Sequence, residues 1–290
     1  MTQVKRVCGQ ARCRVRTTGS TWQVSPIADS RRMQTLAGGW LTLYIAIRMT
    51  DEQFIATAGG GILYDASRLS KPSHELFLRS HWASRGALQE IAGGRSSIAL
   101  LETGVEHGSQ FWVLRHYRRG GLIAKLSQDS YLWTGGSRTR SFREWRLLAE
   151  LRRRGLPVPP PIAARYVRSG LTYRADLITQ LLPSTHTLAA LITGRELGEP
   201  GWRSVGRTIG AFHREGVHHA DLNANNIVIG EVDGTVYLLD FDRGRIQRRG
   251  AWEGEVLARL KRSLEKISRQ RKNVRFGERE WNWLLSETRR

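Results

Sequence analysis

The chain is poor in cysteine and in lysine. Cys8 and Cys13 are its only cysteines among 290 residues, which excludes a disulfide framework and a paired-cysteine zinc site and favours a reducing compartment. Only six of the 46 basic residues are lysine, which leaves 40 arginines. Arginine binds phosphate and carboxylate through a bidentate fork, whereas lysine acts as a point charge.

Long hydrophobic runs are also absent. The longest run near the start, AGGWLTLYIAI, has eleven residues, well short of the ~20 that a membrane-spanning helix needs. A lead of 36 residues precedes it without an evident small-residue cleavage site, which argues against a signal peptide. The hydrophobic fraction of 40% nevertheless suffices for a folded core and argues against global disorder.

The formal net charge of +20 is the strongest bulk signal. Such a surface favours an anionic partner, namely nucleic acid, an acidic membrane face or a phosphorylated substrate. A second interpretation is a high-GC genome that encodes arginine wherever a basic residue is tolerated. Composition alone leaves both interpretations open.

The order of the predicted elements indicates an α+β chain with two lobes. Strands dominate residues 49–182, which we assign to a small, mainly β N-lobe. Helices dominate residues 183–290, which we assign to a larger, mainly α C-lobe that contains the catalytic loop. Residues 1–48 carry seven arginines and one lysine against one aspartate. We predict that they form a disordered basic extension or result from an upstream start codon, with the folded chain beginning near Met49.

Several stretches have clear local patterns. The segment GALQEIAGGRSSIALLE (86–102) predicts two strands joined by a turn, and QFWVLRHYRRGG (110–121) predicts a third strand. Apolar spacing in SFREWRLLAELRRRGL (141–156) predicts a helix, with Ser141 as its N-cap and Gly155 at its end. The last segment, 252–290, is predicted to be helical and basic.

The stretch HHADLNANNIVIGEVDGTVYLLDFD (218–242) gathers acids and amides in an otherwise basic chain. Protein kinases carry a loop H-R-D-x-x-x-x-N and then a metal-binding D-F-G at the end of a short hairpin. Here Asp221 precedes Asn226 by five residues, a hairpin with an Asp-Gly turn follows, and Asp240 begins the triplet D-F-D. Phosphoryl transfer requires a carboxylate near the incoming hydroxyl and oxygen ligands for Mg²⁺. We therefore predict Asp221 as the catalytic residue, and Asn226 and Asp240 as Mg²⁺ ligands beside ATP.

The remaining contacts to ATP are expected upstream. A turn between two strands can cover phosphates, although it lacks a full G-x-G-x-x-G, and a strand cation should pair with a helix glutamate. Arg115 stands where protein kinases place that lysine, with Lys125 as the alternative. The predicted turn contains Gly93 and Gly94, and Leu182 belongs to a predicted hinge whose backbone contacts adenine. In chain order the predicted ATP-site residues are Gly93, Gly94, Arg115, Glu144 and Leu182.

Five stretches together resemble the Kdo (3-deoxy-D-manno-octulosonic acid) kinases, a family of the lipopolysaccharide kinase group within the protein-kinase-like superfamily. They are WVLRHYRRGGL, SFREWRLLAELRRRGLPVPPPIAARY, YRADLIT, HHADLNANNI and LLDFDRGRI. The resemblance covers roughly residues 60–265 and is most specific in HADLNANN and DFDRGR, where ordinary protein kinases carry HRDLK and DFG. Residues 1–48 have no counterpart in it.

The resemblance implies a two-lobed protein-kinase-like fold and ATP-dependent phosphorylation of the 4-hydroxyl of a Kdo residue on a lipid A precursor, in lipopolysaccharide core biosynthesis. It implies Asp221 as the catalytic residue and an arginine in place of the strand lysine. It also implies a peripheral enzyme at the cytoplasmic face of a Gram-negative inner membrane. An anionic Kdo-lipid A precursor and an anionic leaflet both suit the basic surface. No nucleic-acid partner is expected, and the oligomeric state stays open.

Three other interpretations stay open. One is another sugar or small-molecule kinase of the superfamily, such as a heptose kinase or an aminoglycoside-type phosphotransferase. A protein kinase is the second, although no A-P-E segment follows Asp240. A basic nucleic-acid-binding module is the third, and it would account for the charge but not for the Asp and Asn constellation. His213 and His219 are interpreted as a packing residue and a structural loop residue rather than as zinc ligands.

Overall fold

This computed structural model describes residues 50–90, 98–104, 110–118, 129–194 and 197–289, and the backbone alone of 6–8, 11–18, 21–26 and 91. Its strands are β1 Arg6–Cys8, β2 Ala11–Thr18, β3 Thr21–Pro26, β4 Glu52–Thr57, β5 Gly60–Asp65, β6 Leu88–Ile91, β7 Ile98–Glu102, β8 Phe111–His116, β9 Tyr131–Leu132, β10 Pro161–Ser169, β11 Thr172–Gln180, β12 Thr185–Thr187, β13 Val217–His218, β14 Ile227–Gly230, β15 Val236–Leu238 and β16 Arg245–Ile246. Its α-helices are α1 Arg79–Ser84, α2 Arg140–Arg153, α3 Leu188–Gly194, α4 Gly198–Arg214, α5 Trp252–Gln270 and α6 Glu278–Thr288.

An antiparallel sheet with the strand order β4-β5-β10-β11-β8-β7-β6 forms the N-lobe, and β9 also pairs with β11. Alternate residues of a strand point to opposite faces of a sheet. Accordingly, Leu63 and Leu177 pack with Trp145 of α2, whereas Ile62 and Ile178 pack with Trp82 of α1 on the other face. The strands predicted within 86–102 are β6 and β7, which pair as expected, and the third predicted strand is β8.

Helix α2 confirms the helix predicted over 141–156, with Gly155 just beyond its end in a left-handed conformation at φ +75°. The predicted capping by Ser141 is wrong. Thr139 is the N-cap residue, and the Ser141 hydroxyl donates to the backbone oxygen of Arg165 on β10 at 2.9 Å. Because α2 packs closely on the sheet, the Ser141 hydroxyl forms its hydrogen bond with a strand carbonyl instead of capping the helix.

Helices α3 to α6 and the hairpin β14–β15 form the C-lobe. Helices α4 and α6 approach so closely that a Cβ at Gly206 would lie 2.1 Å from the carbonyl oxygen of Leu284. The apolar side chains of α4 recur at helical spacing on the buried face, at Trp202, Val205, Ile209 and Phe212. The helical C-terminal segment predicted from residue 252 is present, but it divides into α5 and α6 around residues 271–277.

The predicted two-lobed α+β fold is confirmed, with a mainly β N-lobe and a mainly α C-lobe. The sequence prediction missed the hairpin β4–β5, because β4 is exposed along almost its whole length and lacks an alternating apolar pattern. Within the predicted N-terminal extension, the backbone of the structure forms the strands β1, β2 and β3. The lobe boundaries and the status of residues 1–48 stay predictions.

Candidate active site

The predicted catalytic loop runs from His219 to Asn226 between β13 and β14, and its own hydrogen bonds fix it. The backbone N–H of Asp221 donates to Nδ1 of His219 at 3.2 Å, and Nδ2 of Asn226 donates to the backbone oxygen of Asp221 at 3.0 Å. Leu222 and Ala224 are buried and anchor the loop in the C-lobe. The side chain of Asp221 is 52% exposed, so this fixed loop presents its carboxylate to solvent.

His219 is neutral and structural. Its Nδ1 accepts a hydrogen bond, so Nε2 carries the proton and donates to the backbone oxygen of Leu239 at 2.9 Å. Burial lowers its pKa below the ordinary value, which keeps the imidazole uncharged at neutral pH. The ring also packs on Phe241 with centroids 4.7 Å apart. His213 lies behind the loop on α4, is buried, and packs edge-on against Trp252.

The hairpin β14–β15 brings Asp240 next to Asn226. Ile227 pairs with Leu238, and the backbone N–H of Leu239 donates to the backbone oxygen of Asn226 at 2.8 Å. The next residue, Asp240, adopts a left-handed conformation with φ +61°. A non-glycine residue rarely adopts this conformation, and such backbone outliers cluster at functional sites. The two predicted metal ligands therefore adjoin each other at the end of the hairpin.

Arg115 on β8 connects the two lobes through two carboxylates. Its Nη2 contacts Oε2 of Glu144 on α2, and its Nη1 contacts Oδ1 of Asp240. The hydroxyl of Tyr117 donates to Oε2 of Glu144 at 2.5 Å. The other oxygen of Glu144, Oε1, accepts the backbone N–H of Phe241 at 3.1 Å. The strand cation, the helix glutamate and the D-F-D segment thus form one network. The sequence predicted the pairing of Arg115 with Glu144, whereas the contact of Arg115 with Asp240 was not predicted.

Burial and mutual attraction set the charges in this network. Burial alone would lower the pKa of Arg115, but the carboxylates of Asp240 and Glu144 raise it well above its ordinary value. Burial raises the pKa of Glu144, although Arg115 opposes this shift. For Asp240, the effect of burial is outweighed by the charge and hydrogen bond of Arg115, and its pKa falls below the usual value. Arg115 and Asp240 therefore stay charged at neutral pH.

The last residue of D-F-D forms a second link to α2. Nε of Arg140, the first residue of α2, donates to Oδ1 of Asp242 at 2.8 Å, and its Nη2 contacts Oδ2. The guanidinium also lies over the ring of Tyr131, 4.7 Å from its centroid. The sequence prediction missed this ion pair, because its partners are 102 residues apart. Nothing in the sequence around Arg140 indicates that Asp242 is its partner.

The other predicted site residues divide into two groups. Leu182 lies in the link between β11 and β12, where its carbonyl oxygen accepts the hydroxyl of Thr185 at 3.2 Å. Gly93 and Gly94, predicted to cover phosphates, and Lys125, the alternative cation, lie outside the described residues. The predicted roles of all four residues stay predictions.

The architecture and these contacts define a phosphotransferase of the protein-kinase-like class, in which a strand cation pairs with a helix glutamate and the catalytic loop precedes a metal-binding hairpin. The chain belongs to the lipopolysaccharide kinase (Kdo/WaaP) family, which it matches over residues 79–287. Membership in a kinase family implies the use of ATP.

Proteins named 3-deoxy-D-manno-octulosonic acid kinase are similar over most of the chain. The protein of Xylella fastidiosa (strain 9a5c) is 46% identical over 214 residues, which cover 73% of this chain and 83% of that protein. The protein of Stenotrophomonas maltophilia (strain K279a) is 47% identical over 215 residues, with the same coverage. The protein of Xanthomonas campestris pv. campestris (strain B100) is 45% identical over 220 residues, covering 74% and 85%.

A solved structure, described as WaaP in complex with acyl carrier protein, is 18% identical with a TM-score of 0.46. The match covers 72% of this chain and 82% of that chain.

Proposed function

We propose that this chain phosphorylates the 4-hydroxyl of a Kdo residue on a Kdo-lipid A precursor, with ATP as donor, in lipopolysaccharide core biosynthesis. The observation that carries the proposal is the Arg115 bridge between Glu144 and Asp240, next to the loop that presents Asp221. This arrangement supports phosphoryl transfer. The similarity to proteins named 3-deoxy-D-manno-octulosonic acid kinase supports the choice of acceptor.

Asp221 receives the acceptor. Its carboxylate is half-exposed on a loop whose backbone is fixed by His219 and Asn226, so it can accept a hydrogen bond from an incoming hydroxyl without rearrangement of the loop. As the hydroxyl oxygen bonds to the γ-phosphorus of ATP, the bond from that phosphorus to the β,γ-bridging oxygen breaks and ADP leaves, while the hydroxyl proton passes to Oδ of Asp221. Orientation of the hydroxyl accounts for most of what this residue contributes, because phosphoryl transfer needs little covalent help.

The residues at the end of the hairpin fit Mg²⁺. The amide oxygen of Asn226 and the carboxylate of Asp240 are oxygen donors of the kind that Mg²⁺ prefers. Arg115 contacts Oδ1 of Asp240, and within the described residues Oδ2 makes no hydrogen bond, which leaves it for a metal. Among those residues no three His, Cys, Asp or Glu side chains converge on a metal position, as befits an ion that takes its other ligands from phosphates and water. When bound, Mg²⁺ neutralises charge on the β- and γ-phosphates.

Arg115 has a second role once ATP is present. Its fork can hold Glu144 with one edge and turn the other towards the α- and β-phosphates, since a guanidinium binds phosphate in bidentate fashion. The sequence prediction assigns Gly93 and Gly94 to the phosphates and the backbone at Leu182 to adenine, and we keep both assignments in this proposal. The nucleotide then lies between the lobes, with its γ-phosphate towards Asp221.

The basic surface suits a peripheral position on an anionic membrane leaflet at the cytoplasmic face of the inner membrane. A lipid A precursor carries phosphates and Kdo carries a carboxylate, so acceptor and leaflet attract the same positive charge. No helix of the described residues is long and apolar enough to cross a bilayer. Arg262 and Lys266 of α5 are exposed cations of this surface.

An acceptor panel tests the proposed function. The full chain is incubated with radiolabelled ATP and Mg²⁺ and with a Kdo-lipid A precursor, a heptose-bearing core oligosaccharide or an aminoglycoside. We expect label to enter the Kdo acceptor, and Asp221→Asn to abolish that transfer while its melting temperature stays unchanged. Preferential labelling of the heptose or aminoglycoside acceptor would contradict the proposal.

A further inference from the structure

One arginine lies directly beside the catalytic carboxylate. Nη1 of Arg259 donates to Oδ1 of Asp221 at 3.2 Å. The arginine is 49% exposed and the aspartate 52%, so the pair lies at the solvent side of the loop, where an acceptor approaches. An exposed ion pair of this kind contributes little to stability, because water screens it. Its location therefore points to a role in binding rather than in folding.

Helix α5 holds Arg259 in this place. The apolar face of the helix is buried in the C-lobe. One turn after Arg259, the hydroxyl oxygen of Ser263 accepts the backbone N–H of Ala224 at 3.2 Å. Ala224 belongs to the catalytic loop, so helix and loop touch at two adjoining points. A packed helix thus presents the guanidinium to Asp221.

The catalytic loop carries no cation of its own. From His219 to Asn226 the sequence contains neither lysine nor arginine, and Asn223 uses its Nδ2 on the backbone oxygen of Asp221 at 3.0 Å. A guanidinium has five N–H donors. In the described part of the chain, Arg259 hydrogen-bonds to Asp221 alone. The remaining donors of Arg259 are therefore available to a ligand that binds next to Asp221.

The acceptor sugar places an anion near its reacting hydroxyl. In the pyranose form of Kdo the carboxylate is attached to carbon 2 and the reacting hydroxyl to carbon 4, with a single methylene between these ring carbons. A side chain that binds the carboxylate must then lie beside the side chain that receives the hydroxyl. Arg259 and Asp221 have this relation, and a carboxylate is a bidentate partner for a guanidinium.

We propose that Arg259 binds the carboxylate of the acceptor sugar and, in doing so, releases Asp221 to receive the reacting hydroxyl. This inference rests on the proposed function and adds a selectivity device to it. An acceptor without an anionic group beside its hydroxyl does not compete with Asp221 for Arg259. Asp221 then keeps its ion pair with Arg259 and does not receive the hydroxyl. Arg259 is thus a residue that recognises the acid sugar.

Two acceptors that differ only at carbon 1 test the inference: a Kdo-lipid A precursor with its carboxylate and the corresponding carboxamide. With the full chain, ATP and Mg²⁺, we expect kcat/KM for the carboxylate to exceed that for the carboxamide about ten- to a hundred-fold, as one charge-assisted contact predicts. Arg259→Gln should lose most of this preference and keep the KM for ATP. Arg269→Gln removes the same charge from an exposed position about 15 Å along the same helix and should keep the preference.

Four results would overturn the inference. The parent chain could use both acceptors equally, or Arg259→Gln could lower kcat/KM for both by the same factor, which would restrict Arg259 to orienting Asp221. An increased KM for ATP with the preference intact would assign Arg259 to the donor phosphates instead. Transfer to neither acceptor by the parent chain would refute the proposed function itself, and the inference with it.

Discussion

Replacing Arg115 by lysine is the most informative single substitution at this site, because it restores the residue that ordinary protein kinases carry at this strand position. The parent side chain contacts Glu144 through Nη2 and Asp240 through Nη1. A lysine ammonium is a compact point charge and cannot present two parallel N–H donors to two carboxylates. We expect Arg115→Lys to lower activity rather than to leave it unchanged.

The magnitude follows from the contact that is lost. Glu144 is only 2% exposed, so water replaces little of what the guanidinium supplied. One charge-assisted contact is worth about 1.5–3 kcal/mol, which corresponds to a decrease of roughly ten- to a hundred-fold in kcat/KM. Glu144→Gln should also be damaging. The double variant should lose less than the sum of the two single losses, because the residues act as one network.

The assay is transfer from ATP to a Kdo-lipid A precursor at several ATP concentrations, with melting temperatures measured beside it. If kcat/KM for Arg115→Lys decreases while the melting temperature changes little, the arginine acts in nucleotide binding rather than in folding. If Arg115→Lys is as fast as the parent, the argument from the bidentate fork is wrong. If Lys125→Ala is instead the inactive variant, the phosphate-binding cation is Lys125.

Three further predictions concern the residues around this network. Asp240→Asn should raise the Mg²⁺ concentration needed for half-maximal activity, because a charged ligand is lost, and an unchanged Mg²⁺ titration would exclude Asp240 as a ligand. Arg140→Ala and Asp242→Asn should each lower kcat, with a coupling of about 0.5–3 kcal/mol in a double-mutant cycle, whereas simple additivity would show that the ion pair does not position the D-F-D segment. Burial lowers the pKa of His213 to about 4, below its unfolded value of about 6.5, so stability is fully present above pH ~6.5 and decreases as the pH falls towards ~4. Urea unfolding of the parent chain should show a free energy of unfolding about 2 kcal/mol lower at pH 5 than at pH 7 because of His213. His213→Gln should lack this contribution, and an equal decrease in the parent and the variant would show that His213 is not its source.

Most parts of the site that were predictable from the sequence are local in the chain. The loop from His219 to Asn226, the hairpin and Asp240 all lie within one stretch, and their spacing reflects geometry that phosphoryl transfer requires. The pairing of Arg115 with Glu144 was predictable from a known relation between a strand and the next helix. The first signal is local in the chain, and the second depends on a fixed order of elements in kinases rather than on local sequence.

The unpredicted features depend on packing between distant segments. Arg259 meets Asp221 across 38 residues, and Ser141 binds the backbone of Arg165 instead of capping its own helix. Neither contact leaves a periodic or spacing signal, because each is set by how α5 and α2 pack in the folded chain. The many arginines of the chain add to the difficulty, because the sequence alone does not show which of them pairs with a given carboxylate.

The most direct test of the central claim is mass spectrometry of a Kdo-lipid A precursor after incubation with the full chain, ATP and Mg²⁺. We predict the addition of one phosphate, located on the 4-hydroxyl of Kdo by fragmentation, and no addition with the Asp221→Asn chain or without ATP. An acceptor that stays unmodified with the parent chain, or a phosphate attached at a position outside the Kdo residue, would contradict the account.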